Sequence, residues 1–269
     1  MSITAPAANV GDLLRAWRQR RRLSQLDLAG DAEVSARHLS FVETGRSRPS
    51  RERLLHLAEH LDVPLRDRNT MLLAAGYAPL YAERSLEADE LQPVRDALQK
   101  VLAGHEPFPA VVVDRHWDLV AANDVAANLL ASRVAPDLLR APLNTLRASL
   151  HPDGLAPHIL NLPQYTAHLI ARLDRQAAAA QDSELRALSR ELRSHPGVPS
   201  GVIDHPDIVG RLFVPLVLRT EGEPLTFFST IATFGTALDV TVAELAIEQF
   251  FPADTPTAEA LRKNVARQK

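Results

Sequence analysis

Residues 23–49, LSQLDLAGDAEVSARHLSFVETGRSRP, constrain this chain more than any other stretch. Ser24 and Ser35 each precede a short amphipathic run, where a serine oxygen can accept the unpaired N–H groups of a helix's first turn. Leu28 and Ala29 form the inward face of the first run, and Leu39 and Val42 that of the second. Gly45 then ends the second run in the left-handed conformation that glycine tolerates. Arg46, Arg48 and Arg51 follow. Two short helices, a tight turn and a cationic flank are the pattern of a helix-turn-helix, whose first helix braces on phosphates while the second enters the major groove. Double-stranded DNA is the expected partner.

The flanks fit a compact all-α module. Val10, Leu13, Leu14 and Trp17 recur at i, i+3, i+4 and i+7, which predicts a helix over residues 10–21. Ser50 caps a fourth helix that carries Leu54, Leu57, Ala58 and Leu61 on one face, and Pro64 opens a fifth over residues 65–75. Charge separates this module from the rest. Residues 1–80 hold twelve arginines against nine acidic side chains, net +3, whereas the remaining 189 hold 18 basic and 24 acidic ones, net −6. DNA repels an acidic surface, so the two parts are expected to have different tasks.

The remainder alternates in character. Residues 76–106 read as a connector with a helix over 90–103, ended by Gly104, Pro107 and Pro109. Strands over 110–113 and 119–122 flank a turn at 114–118, and a helix follows over 123–130. Helices are expected over 144–150, 163–180 and 183–193. Residues 211–220 and 225–234 alternate as strands around Glu221, Gly222 and Glu223, a hairpin turn. Leu245, Ile247, Gln249 and Phe251 mark one more strand, after which the chain is expected to fray. The expected division is a helix-turn-helix domain over 1–80, a helical linker over 81–106, an α+β domain over 107–255 and a tail over 256–269.

Residues 10–75 resemble the phage-repressor-like (XRE) helix-turn-helix family, which implies a five-helix, lambda-repressor-like domain. By that resemblance Ser24 and Gln25 open the phosphate-bracing helix, and Gln25 bonds a phosphate. Ala36, Arg37, Ser40 and Phe41 turn toward base edges, with Ser35 and His38 near the backbone or groove edge. Arg37 is the candidate for direct readout, because a guanidinium pairs guanine O6 and N7 in bidentate fashion. Phe41 occupies a position the family usually fills with a polar residue; it either packs on a thymine methyl or packs against the second domain. Arg46, Arg48 and Arg51 would neutralise phosphates. Arg20, Arg21 and Arg22 read as a solvated helix end or as further phosphate contacts. The family places a buried ion pair where Arg18 and Glu43 stand, and glycine at the turn where this chain has Glu33.

A longer resemblance covers residues 10–255. SARHLSFVETGRSRPSRERLLHLAEHLDVPLRDRNTMLLAAGYAP, then WDLVAAND and VTVAELAIEQFFPADTPT, are similar to MmyB-like transcription regulators. That likeness implies a PAS-like sensor domain: an antiparallel sheet with flanking helices around a mostly apolar cavity. Phe213, Phe227, Phe228, Ile231 and Phe234 offer bulky strand positions. Tyr165, Leu169 and Arg172 share a helical face at i, i+4 and i+7, with His168 beside it. The expected ligand-binding set is Tyr165, His168, Leu169, Arg172, Phe213 and Phe228. An apolar cavity with one cationic anchor suits a fatty acid or similar hydrophobic small molecule; the plainer alternative makes the aromatics core and Arg172 a solvent ion pair.

Other chemistry finds little support. With no cysteine, disulfides, zinc-thiolate sites and thiol catalysis are excluded. No G-x-S-x-G, Walker or G-x-G-x-x-G motif appears, and no haem or flavin anchor is visible. His56 and Glu59-His60 match H-x-x-E-H, but they lie on a helix whose other face is core, without a third ligand. His195, Asp204, His205 and Asp207 share a loop rich in proline and glycine. No signal peptide is expected, and no uncharged stretch reaches the roughly 20 residues of a membrane span. The expectation is a cytoplasmic, homodimeric transcription regulator, not an enzyme, that reads a near-palindromic operator and takes a small-molecule effector. The alternatives are a DNA-tethered enzyme and a ligand-free protein-interaction module.

Overall fold

The computed structural model describes residues 9–198 and 213–268, with side chains through residue 263. The chain forms two compact units, Met1–Ser85 with Thr236–Ala243, and Leu86–Gly235 with Glu244–Lys269.

Five helices build the first unit: α1 (Val10–Arg20), α2 (Gln25–Asp31), α3 (Ala36–Glu43), α4 (Arg51–His60) and α5 (Leu65–Ala74). Side chains cap the first four. Asn9 Oδ1 accepts from Gly11 N at 3.0 Å, and Ser24 and Asp27 form a reciprocal capping box. Ser35 and Ser50 accept from His38 N and Arg53 N. Leu14, Leu28, Leu39, Leu54, Leu57, Leu61 and Leu72 are almost fully buried and fill the core between the helices. A Cβ on Gly11 would meet Val42 O at 2.3 Å, so only glycine lets α1 approach α3 this closely.

Residues 236–243 also belong to this unit. Val240 N donates to Ala82 O at 2.8 Å, Arg84 Nη1 to Asp239 Oδ2 at 2.9 Å, and Thr241 Oγ1 to Arg84 O at 2.6 Å. The segment ends in a one-turn helix, Val240–Ala243.

The second unit is a five-stranded antiparallel sheet of order β2-β1-β5-β4-β3. Its strands are β1 (Ala110–Val113), β2 (Leu119–Ala122), β3 (Leu216–Leu218), β4 (Leu225–Thr233) and β5 (Ala246–Pro252). Leu98 and Leu102 of α6 (Gln92–Gly104) pack with Ala110, Val112 and Ile247 on one face. The helix expected within a linker thus forms part of this unit's core. Helices α7 (Asp124–Ala131), α8 (Thr145–Leu150), α9 (Leu162–Ala180) and α10 (Ser183–Arg193) contribute to the larger core, which includes Val111 and Phe227 from the opposite face.

Two local expectations need correction. The segment after Pro252 does not fray but forms a helix, Thr255–Gln268, started by Asp254 Oδ1 accepting from Thr257 N at 2.8 Å and anchored by buried Leu261. Strand β3 is shorter than the alternation over 211–220 implied. Pro215, which has no N–H for the ladder, stands immediately before it; residues 211 and 212 lie outside the described residues.

Candidate DNA interface and ligand cavity

The α2–α3 turn is built around Glu33, which takes φ +50°, the left-handed conformation for which glycine is the usual residue. Its N–H bonds Gly30 O at 3.2 Å and so keeps the turn closed despite the side chain. Gly45 at φ +72° ends α3, with its N–H on Val42 O at 3.0 Å.

Helix α3 then presents Arg37 to solvent, with Ala36, His38, Ser40 and Phe41 half-buried around it and the cap Ser35 exposed. The Arg37 and Arg46 guanidinium carbons stand 5.4 and 5.9 Å from the Phe41 ring centroid. Phe41 therefore serves as an apolar support for two cations on the outer side of α3, within reach of cation–π attraction.

Arg48 and Arg51 are exposed too, but Arg48 is stacked 4.5 Å from the Tyr77 ring centroid. The Tyr77 hydroxyl donates to Pro49 O at 2.9 Å, fixing that platform. In the run of three arginines, Arg20 lies over Trp17 at 4.4 Å. Arg21 donates to Leu61 O at 2.7 Å and Asp62 O at 2.9 Å, tying α1 to the end of α4. Arg22 is a turn residue at φ +57°.

Glu43 organises the inner side of the motif. Its carboxylate accepts from Arg18 Nε at 2.6 Å, Arg18 Nη2 at 2.8 Å and Gln25 Nε2 at 2.8 Å, with its side chain fully buried. Burial alone would raise the Glu43 carboxyl, but hydrogen bonds from Arg18 and Gln25, the Arg18 charge and Arg15 outweigh it and hold the group below its ordinary range. One carboxylate thus joins α1, α2 and α3. Gln25 already spends one amide N–H on Glu43, which leaves one for a phosphate.

The second unit contains a cavity between the sheet and helices α7, α8 and α9. Val111, Leu216, Leu218 and Phe227 line it from the sheet; Leu129, Leu130, Leu146 and Leu169 line it from the helices. The cavity is partly open to solvent and has a free volume of about 60 Å³.

The cavity's charged groups are Arg172 and Glu248, with the phenol of Tyr165 on the same wall. Arg172 Nη1 donates to Glu248 Oε1 at 3.1 Å, and Ser229 Oγ donates to the same oxygen at 3.0 Å. The guanidinium carbon lies 4.2 Å from the Trp117 ring centroid, and Trp117 Nε1 is held by Gln176 Oε1 at 2.9 Å. Burial pushes the Tyr165 phenol well above its ordinary value; nearby Glu248 adds to this and Arg172 opposes it.

Of the six sequence-predicted ligand residues, Tyr165, Leu169 and Arg172 line this cavity, while His168, Phe213 and Phe228 do not. His168 is exposed, one residue off the inward stripe of α9. Phe228 has the wrong strand parity: Phe227 faces inward, so its neighbour faces outward, where it stacks on Phe251 at 5.3 Å and meets Phe213 at a tilt, 5.9 Å between ring centroids. Arg172 lines the cavity, as expected of a cationic anchor, and its ion pair is with the largely buried Glu248 rather than at the solvent surface. Glu248 and Phe250 were missed, although the alternation in β5 that singled out Ile247 and Gln249 places them together on the other face.

Among the described residues no group of three or more His, Asp or Glu side chains could hold a metal ion. His56 Nε2 and His60 Nδ1 each lie 2.9 Å from a carbonyl, those of Ala32 and His56. His195 lies with its ring 5.0 Å from that of His151, and burial first, then His151, lowers its pKa. Asp204, His205 and Asp207 lie outside the described residues. Among the described residues no helix is long and apolar enough to cross a membrane.

A family model described as "Helix-turn-helix domain" matches residues 9–71. Together with the fold it defines the class, a helix-turn-helix DNA-binding protein. A second model, "MmyB-like transcription regulator ligand binding domain", matches residues 94–263, well over half the sequence. The chain belongs to the MmyB-like transcription regulators. Comparison with curated proteins returns no match.

Proposed function

We propose that this protein is a homodimeric regulator that reads a near-palindromic operator through α3 and responds to a hydrophobic, fatty-acid-like small molecule in the cavity of its second unit. The carrying observation is an aliphatic cavity with one buried ion pair, on the same chain as a helix-turn-helix with exposed Arg37. Base readout falls to Arg37, Ser40 and Phe41, and phosphate contact to Gln25, Arg46, Arg48 and Arg51. Two-fold symmetry would double this contact set and make half-site spacing a property of the dimer.

Ligand pockets commonly measure about 300–1,000 Å³, so an acyl chain needs more room than the free volume of about 60 Å³. Leu129 and Leu130 of α7 and Phe250 of β5 are half-buried lining side chains, and a ligand would have to displace some of the lining. A route to DNA affinity is built into the chain itself. Strands β4 and β5 carry Phe227, Glu248 and Phe250 of the cavity, and their connection, residues 236–243, is a component of the DNA-binding unit. A ligand that binds two arrangements of these strands with different affinity shifts that connection, and with it the operator-binding population.

Native mass spectrometry of the purified protein, with extraction of whatever co-purifies, tests the cavity, and gel-shift titration with the recovered compound tests the coupling. The expected outcome is a chain-bearing apolar molecule that changes operator affinity. A protein that neither carries nor binds any such molecule refutes the sensor reading. Unchanged operator affinity on binding refutes the coupling alone.

A further inference from the structure

The ion pair in the cavity wall restricts the polar end of any ligand, on the reading that this cavity is the ligand site. Among the described residues Arg172 Nη2 is buried and has no hydrogen-bond partner, while Nη1 is engaged by Glu248. Both hydrogen bonds to Glu248, from Arg172 and Ser229, fall on Oε1, and neither uses Oε2. The side chains are only 18% and 9% exposed. The pair lines the cavity and keeps an unengaged cationic NH₂ group, on Nη2, and an acceptor oxygen outside both bonds, at no net charge. The Tyr165 phenol, raised by burial and by Glu248, stays neutral and adds none.

A ligand carboxylate would satisfy Nη2 but would bring a second anion against one cation where the ion pair is largely shielded from water. Like charges at such range cannot both stay ionised without cost. An acyl amide meets both needs, because its carbonyl accepts from Nη2 and its N–H donates to Glu248. We propose that Glu248 is the specificity-determining residue of this cavity and that the site takes an uncharged acyl amide in preference to the carboxylate of the same chain.

Calorimetric titration of the full-length, delipidated protein with decanamide and decanoate, well above the ordinary carboxylate pKa range, reads this directly. Wild type is expected to bind the amide roughly tenfold or more tightly, since each ten-fold step corresponds to one pKa unit of differential interaction. Glu248→Gln keeps the shape but leaves Arg172 unbalanced, so the preference should reverse toward decanoate. Ser229→Ala removes one bond to Glu248 yet keeps its charge, and should retain the amide preference.

Equal or tighter binding of decanoate by wild type overturns the proposal, as does an unchanged ratio in a folded Glu248→Gln protein. If that variant does not fold, the wild-type ratio still decides. Failure of both probes to bind wild type, with nothing co-purifying, instead overturns the reading of the cavity as a ligand site.

Discussion

Replacing Glu43 with glutamine tests how the reading helix is held in place. The Glu43 side chain is fully buried and its Arg18 partner only 10% exposed. The substitution leaves the guanidinium without its counter-charge, and breaking a buried pair from one side costs about 3–5 kcal/mol. Glutamine keeps the shape and one acceptor oxygen, so the lower end, about 3 kcal/mol, is the expected loss. At about 4–8 °C per kcal/mol for a unit under a hundred residues, the melting midpoint should fall by about 12–24 °C. Arg66–Glu83, with side chains 31% and 54% exposed, supplies the control: Glu83→Gln should cost about 0–1 kcal/mol. Urea denaturation followed by Trp17 fluorescence, in a Trp117→Phe background, reports on this unit because Trp17 is buried in α1. The sign of the pH dependence follows from the lowered Glu43 pKa. Its contribution is complete above the unfolded carboxylate value of about 4.3 and is lost as pH falls through the lower folded value. The gap between wild type and Glu43→Gln should therefore close in acid. Exchanging both partners, Arg18→Met with Glu43→Leu, should recover most of the loss. A Glu43→Gln cost no larger than that of Glu83→Gln would refute the buried-charge argument.

On DNA, Arg37→Ala should flatten the preference at one base position by about 1–3 kcal/mol, whereas Arg46→Ala should weaken all sequences alike and reduce the salt slope by about one. Equal losses for Arg37→Ala on operator and scrambled duplexes would remove that residue from base readout. Glu33→Gly should raise stability by up to about 1 kcal/mol, because Glu33 is exposed and left-handed; a loss in urea denaturation would mean the turn depends on its side chain. Asp239→Asn weakens the bond to Arg84 and should leave ligand and operator affinities near wild type while shrinking the ligand-induced change in operator affinity. A full response in gel-shift titration would show that the signal does not pass through residues 236–243.

The N-terminal unit was legible because its determinants are local. Ser24, Ser35 and Ser50 cap helices within their own first turns, and the apolar stripes of α1 and α4 repeat within one helix. The partnership of Arg18 and Glu43 came from resemblance rather than spacing, since 25 residues separate them. In the second unit the elements were legible but their facing was not. Phe227 and Phe228 are equally apolar neighbours, and only the pairing of β4 with β5 decides which one meets the cavity.

Glu248 was hidden for a related reason. A carboxylate within a strand reads as solvent-facing, and its burial depends on Arg172, 76 residues earlier on α9. Residues 236–243 show the same limit at greater range, for Asp239 joins the first unit through Arg84, 155 residues away. These distant pairs join charged groups whose burial or half-burial is tolerable only once the partner arrives. Local pattern therefore predicts such residues on the surface, and a charged residue in an otherwise apolar strand deserves to be weighed as half of a buried pair. Applied to AIEQFFP, that rule marks Glu248 as half of a buried pair, while the fold alone supplies Arg172 as its partner.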